Sequence, residues 1–131
     1  MSSIFSKIVR GEIPCHKIAE DDQFLAFLDV MPLVEGHTLV IPKQEIDYIF
    51  DLDPEVLAGL MKFAQRIAPA IKKAIPCKRI GVAVIGLEVP HAHVHLVPLN
   101  RMLDINFSQE KLKLSQESLS KTAELIRSFL I

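Results

Sequence analysis

The sequence predicts an α+β fold built on an antiparallel sheet, and three observations carry that prediction. Short β-branched and aliphatic runs bounded by Gly and Pro recur near residues 16–20, 23–29, 37–42, 79–85 and 91–97. A long stretch after Asp53 repeats apolar residues at helical spacing. Only the Gly86–Pro90 turn region joins the last two strand candidates, so the sheet is expected to be antiparallel.

In chain order, residues 4–10 suit a short amphipathic helix ended by Gly11, with Pro14 as a stop. Strands follow near 16–20, 23–29 and 37–42. Asp53-Pro54-Glu55 then reads as a helix start, with an N-cap acid, proline at N1 and a second acid in the first turn. Val56, Leu57, Leu60, Met61, Ala64, Ile67, Ala68 and Ile71 form its apolar stripe, expected to serve as core or dimer contact. Pro69 falls inside that pattern and should kink or divide the helix, because it removes a backbone donor and crowds the preceding turn. After the two later strands, residues 99–114 read as an irregular connection containing Asp104, Asn106 and Ser108. Ser115 offers an N-cap to a final helix whose stripe is Leu119, Ala123, Ile126 and Leu130.

Composition bounds what such a chain can do. At 131 residues and 50% hydrophobic content it is sized for a single domain, 1–131, with a real core. The net charge of −1, from 15 basic and 16 acidic residues interspersed, leaves no basic footprint for a nucleic-acid backbone. The start lacks a charged segment followed by an apolar run, and the longest apolar stretch, Ile80 to Leu87, is far short of a membrane span. A cytoplasmic protein without membrane contact is expected. Cys15 and Cys77 are isolated; their spacing leaves a disulfide open, and reduced thiols are the expectation.

The chemistry-bearing segment is His91-Ala92-His93-Val94-His95-Leu96-Val97-Pro98. In an extended chain His91, His93 and His95 share one face, while Ala92, Val94 and Leu96 point into a core. At roughly 3.3 Å rise per residue the outer two histidines start about 13 Å apart, so one metal ion cannot collect all three. An extended phosphate ester suits the row better, since imidazoles can act as nucleophile, hydrogen-bond donor and proton carrier near neutral pH. His37, at the start of the strand Gly36–Lys43, could bond a ring nitrogen of the triad and fix its tautomer.

The triad, together with Ile4–Pro14, Glu20-Asp21-Asp22, Ala26–Val30 and Gly36–Lys43, is similar to the histidine-triad (HIT) family. The resemblance covers about residues 4–98, leaves 99–131 as an extension, and points to the branch of purine-nucleotide phosphoramidate hydrolases. It implies a HIT-like fold whose sheet has about five strands with one long, one N-terminal and one C-terminal helix. It also implies a homodimer paired through the long helix and a strand edge, and no cofactor. Position by position, His93 would attack the α-phosphorus to form a nucleotidyl-imidazole intermediate that water resolves to a nucleoside monophosphate. His91 and His95 would bind phosphate oxygens or handle the leaving-group proton, and His37 would brace the triad. Asp29 matches the ribose-binding acid, and Phe5, Ile8, Phe27 and Val30 match the apolar positions around the base.

The departures from the family pattern are equally specific. Relatives carry Gly-Gln-Ser/Thr before the triad, whereas this chain has Gly86-Leu87-Glu88-Val89-Pro90. Leu87 cannot donate a hydrogen bond, and Glu88 brings negative charge toward an anionic substrate. A polar Asn of some relatives falls on Ala83. Some relatives bind structural zinc with a Cys-x-x-Cys pair and a later histidine; here Ser3, Ser6 and Glu45 stand there, and no structural zinc is expected. The transferase branch has glutamine at the third histidine, so His95 argues against it. The alternatives are a nucleotide-binding sensor with little turnover and a dinucleoside polyphosphate hydrolase; a metal-dependent enzyme using two histidines ranks below both.

Overall fold

In the computed structural model, which describes residues 2–130, the chain forms a five-stranded antiparallel sheet and three α-helices, an α+β fold as expected. The expected domain span includes Met1 and Ile131, which lie outside the described residues. The strands are β1 (Lys17–Glu20), β2 (Phe24–Leu28), β3 (Thr38–Pro42), β4 (Arg79–Ala83) and β5 (Val94–Leu99), arranged β1-β2-β3-β5-β4. The helices are α1 (Ile4–Val9), α2 (Pro54–Ala74) and α3 (Gln116–Ser128).

Both faces of the central strands are covered, and the two-residue period of a strand divides their side chains between two clusters. Phe24, Ala26, Leu28, Val40, Val94 and Leu96 face the main core, which α2 and α3 close with Leu60, Phe63, Ala64, Ile67, Ile71, Leu119, Ala123 and Ile126. Leu25, Phe27, Leu39 and Ile41 face the other way and join Phe5 of α1 in a smaller cluster. The continuous burial of β2 and β3 follows from this double cover. Ala92, Val94 and Leu96 enter the main core as the alternation requires.

Three local expectations meet a different outcome. Asp53 occupies the N-cap of α2, yet its side chain makes no capping hydrogen bond. Of the two outcomes expected at Pro69, division does not occur: α2 runs through it to Ala74, and Pro69 lies on the exposed side. A single missing bond on a wet face is a local loss that the buried stripe of a 21-residue helix outweighs. The third concerns β5, which begins at Val94, so His91 and His93 precede the strand instead of lying in it. Ser115 caps α3 as expected, its hydroxyl accepting from Ser118 N–H.

Candidate active site

The loop from Val84 to His93 returns the chain to the sheet with its last residues pinned by backbone bonds. His91 N–H donates to Val89 O at 2.8 Å and Ala92 N–H to Ile46 O at 2.7 Å. Opposite, Gly36, at φ +90°, turns the chain into β3 and brings His37 to the first position before the strand. A side chain on Gly36 would also meet Ile75 at 2.7 Å. The result is a line of rings on the α1 face of the sheet: Phe27 to Phe5 at 5.5 Å between centroids, Phe5 to His93 at 5.1 Å, His93 to His95 at 4.8 Å, and His95 to His37 at 5.2 Å.

Backbone groups, which can only donate or only accept, fix the tautomers. Leu33 N–H donates to His37 Nδ1 at 3.0 Å, so neutral His37 carries its proton on Nε2. That proton points to His95 Nδ1 at 2.9 Å, so the proton of neutral His95 sits on Nε2. His93 Nδ1 lies 2.7 Å from the carbonyl of His91 and must donate, which leaves His93 Nε2 with a free lone pair. The site therefore presents a nucleophilic nitrogen beside a ring N–H donor. Burial lowers the pKa of His37 to about 3 and that of His95 to about 4, with neighbouring positive charge adding to the shift, so both rings are neutral at pH 7.

His91 departs from its expected role. Its ring is fully buried, Nε2 donates to Pro42 O at 2.7 Å, and Nδ1 accepts from the Ser3 hydroxyl at 2.9 Å. Both ring nitrogens are thus engaged within the protein. What His91 offers the site is its carbonyl, which orients His93. Ser3 and Ser6 converge on this ring with Glu45: the Ser6 hydroxyl and Ser3 N–H both donate to Glu45 Oε1 at 2.6 Å, and Ser6 N–H donates to Ser3 Oγ at 3.0 Å. These bonds hold the Glu45 carboxyl well below the usual carboxylate range. Beside the Glu45 carboxylate, whose Oε1 already accepts two hydrogen bonds, the cluster offers two neutral hydroxyls and a committed ring nitrogen, a poor match to zinc, which takes thiolate, imidazole and carboxylate ligands. The cluster does not fit the metal.

Asp29 lies within reach of the triad, with Oδ1 accepting from Met31 N–H at 2.9 Å and Oδ2 3.7 Å from His37 Nε2. Burial raises its pKa, partly offset by the Met31 bond. Asp29, His37 and His95 are the described group that could offer three ligand atoms to an ion, all within 4.8 Å of one another. The 2.9 Å nitrogen pair, however, is a directed hydrogen bond, and an ion between the rings would have to displace its proton. Phe5 and Phe27 are buried in the smaller core, with Ile8 half-buried against it, while Val30 is half exposed. Leu87 is 88% exposed, and the exposed Glu88 is near enough to Asp29 for its charge to help raise that carboxyl's pKa.

The sequence reading missed two residues here, both from the irregular connection. Phe107 packs edge-on against His95 at 4.7 Å and His37 at 6.0 Å, and half-buried Lys111 sits beyond it. Buried Asp104 accepts from Asn100 N–H and Arg101 N–H to turn the chain back. Asn106 Oδ1 then accepts from Ser108 N–H at 3.0 Å, and Leu112 N–H reaches Pro32 O at 2.8 Å. The available signal was an aromatic residue set between turn-forming Asn106 and Ser108 in a polar stretch.

The HIT domain family matches residues 10–102. This chain belongs to the HIT family. It is 37% identical over 99 residues to an adenosine 5'-monophosphoramidase of Schizosaccharomyces pombe, covering 75% of this chain and 74% of that protein. It is 34% identical over 130 residues to an adenylylsulfatase of Arabidopsis thaliana, covering 95% of this chain and 66% of the other. A HIT-like protein from Bartonella henselae has a similar solved structure, with TM-score 0.83 and 38% identity over 97% of this chain and 95% of its own. A zinc-bound histidine triad protein from Mycobacterium smegmatis follows, with TM-score 0.81 and 33% identity over 99% and 94%.

Proposed function

We propose that this single-domain HIT protein is a hydrolase of purine nucleotides that cleaves a nucleotidyl P–N bond through His93. The observation that carries the reading is the free Nε2 lone pair of His93, created by the 2.7 Å bond from its Nδ1 to the His91 carbonyl. Attack of Nε2 on the α-phosphorus forms an N–P bond and breaks the bond to the leaving nitrogen, which departs as an amine protonated by solvent. The imidazolium left on His93 is stabilised through Nδ1–H by the same carbonyl. Water then attacks phosphorus, the N–P bond breaks, and the nucleoside monophosphate leaves with His93 neutral again. His95, neutral with its proton on Nε2, donates a hydrogen bond to a phosphoryl oxygen. A group with a pKa near 4 is poorly placed to carry the leaving-group proton at pH 7. Asp29 accepts from the ribose hydroxyls, and Ile8 and Val30 meet the base above a floor of Phe5 and Phe27. The relatives named as phosphoramidase and adenylylsulfatase support the same chemistry at an α-phosphate. No metal or cofactor takes part in this scheme.

A second reading, a nucleotide sensor with little turnover, is favoured by one observation: Leu87 and Glu88 offer no neutral donor beside the triad. One assay separates the two. Amine release from an adenosine 5'-phosphoramidate, run with and without chelator, is expected in wild type and lost in His93→Ala. AMP binding without release in wild type would replace the hydrolase reading by the sensor.

We also propose that two copies pair through α2 and β4. The edge strand β4 is unpaired on one side, Val82 is 52% exposed, and a groove lined by Met61, Ala64, Ala68, Ile80 and Val82 runs beside it. Light scattering at micromolar concentration should give the mass of a dimer; a monomer would refute the pairing.

A further inference from the structure

A nucleotide phosphate is an anion, and several of the groups placed around it are neutral or acidic. His37 and His95 are uncharged at pH 7, and Asp29 and Glu88 are carboxyl groups. A positive charge nearby would strengthen the binding of an anion there. Lys111 has the position and the free valence to supply it. Its ammonium donates to Phe107 O at 2.7 Å and more weakly to Gln109 O at 3.4 Å, leaving a third proton uncommitted. Among the described residues no carboxylate lies within ion-pairing distance of it. Its charge is felt at Asp29, His37 and His95.

The segment that carries Lys111 is built to stay in place. Asp104 turns the chain, the Gln109 side-chain amide donates to Leu103 O at 2.7 Å, and Leu112 N–H ties the far end to the loop that also carries Asp29. Phe107 neighbours both Lys111 and the histidine pair, its ring 6.0 Å from the ammonium and 4.7 Å from His95. Such a wall excludes water from one side of His95 and strengthens any charge acting across it.

We propose that Lys111 binds the phosphate charge of the nucleotide, held at the edge of the histidine pair by Phe107, so that residues 106–111 form a specificity element for the anionic end of the substrate. This rests on the nucleotide-hydrolase reading above and adds the group that distinguishes a nucleotide from a nucleoside. The shared chemistry, an oxyanion, could also come from an anionic leaving group, and the test separates the two sources.

The test is calorimetric binding of AMP and of adenosine to full-length wild type, Lys111→Gln and Lys111→Arg. It is run beside hydrolysis of two adenylyl substrates, one with a neutral and one with an anionic leaving group. Wild type should prefer AMP, Lys111→Gln should lose about tenfold of that preference with adenosine affinity unchanged, and Lys111→Arg should keep it within about threefold. An unchanged preference in Lys111→Gln would overturn the assignment while leaving the hydrolase reading intact. A parallel loss of AMP and adenosine would make Lys111 a structural tie for the segment and would also overturn it. So would a defect confined to the substrate with the anionic leaving group. Wild type that binds neither ligand would remove the nucleotide reading and this proposal together.

Discussion

The two ends of the histidine row are built from the same residue type and do opposite work. At one end His91 is sealed: both ring nitrogens are bonded within the protein, and Ser3, Ser6 and Glu45 complete the cluster. At the other end His93 and His95 each have one nitrogen fixed by a neighbour and the other without a hydrogen-bond partner among the described residues, a lone pair on His93 and an N–H on His95. The difference arises from where β5 begins. Only His95 is in the strand; His91 is turned beneath α1 by backbone bonds at residues 91 and 92. Spacing in a motif places residues near one another, while the backbone groups they meet decide which become reactive.

The sharpest way to break that contrast is at the reactive end. If His93 is the nucleophile proposed above, His93→Ala should lower amine release by on the order of 10³-fold or more, measured on the folded fraction because this buried, hydrogen-bonded ring also contributes to stability. If single-turnover release persisted, the nucleophile would lie elsewhere.

At the sealed end the same substitution should strike stability far more than rate. His91→Ala removes a fully buried ring and leaves the Pro42 carbonyl without its partner. A loss of roughly 2–4 kcal/mol in urea unfolding is expected, with kcat of the folded fraction reduced far less than in His93→Ala. A stable variant without activity would show that the ring, and not only the His91 carbonyl, serves the reaction.

His37 joins the two behaviours, being buried and yet hydrogen-bonded to His95. Replacing it with glutamine should cost about tenfold in kcat through loss of the His95 tautomer. It should also change the pH dependence of stability. The folded-state pKa values of His37 and His95, about 3 and about 4, lie below the unfolded value near 6.5. The unfolded chain therefore binds more protons in that interval. The stability held by the neutral rings is fully present above about pH 6.5 and is lost progressively as pH falls toward 4 and then 3. Urea midpoints between pH 7 and 4.5 should fall less steeply in His37→Gln than in wild type; parallel slopes would mean that His37 does not carry this linkage.

Much of this arrangement could be read from the residues. Alternation placed Ala92, Val94 and Leu96 in the core, and a histidine before β3 met the triad as a brace should. Alternation could not show that the strand starts after His93, because β5 begins where backbone partners on β3 and β4 begin, and those are distant in sequence. Phe107 and Lys111 escaped for a related reason. Their approach to His95 depends on the turn anchored by Asp104 and on the bond from Leu112 to Pro32, neither of which follows from local periodicity. At Pro69 the local rule left kink or division open, and the burial of the opposite helix face keeps α2 undivided.

The smallest effect tests whether the sealed cluster is a structural tie in its own right. Ser3 caps α1 by accepting from Ser6 N–H and also donates to His91, so Ser3→Ala removes a cap and leaves His91 Nδ1 without its donor. The Ser6 hydroxyl lies 3.4 Å from the same nitrogen and can turn to replace that donor, at the expense of its bond to Glu45. About 1 kcal/mol of stability should be lost, less than the sum of a cap and a buried hydrogen bond. Adding Ser6→Ala removes the substitute and should cost more than the two single changes combined, as read by urea unfolding of all three variants. Strict additivity would mean that the two hydroxyls act independently, and that the closed end of the row is two separate contacts instead of one cluster.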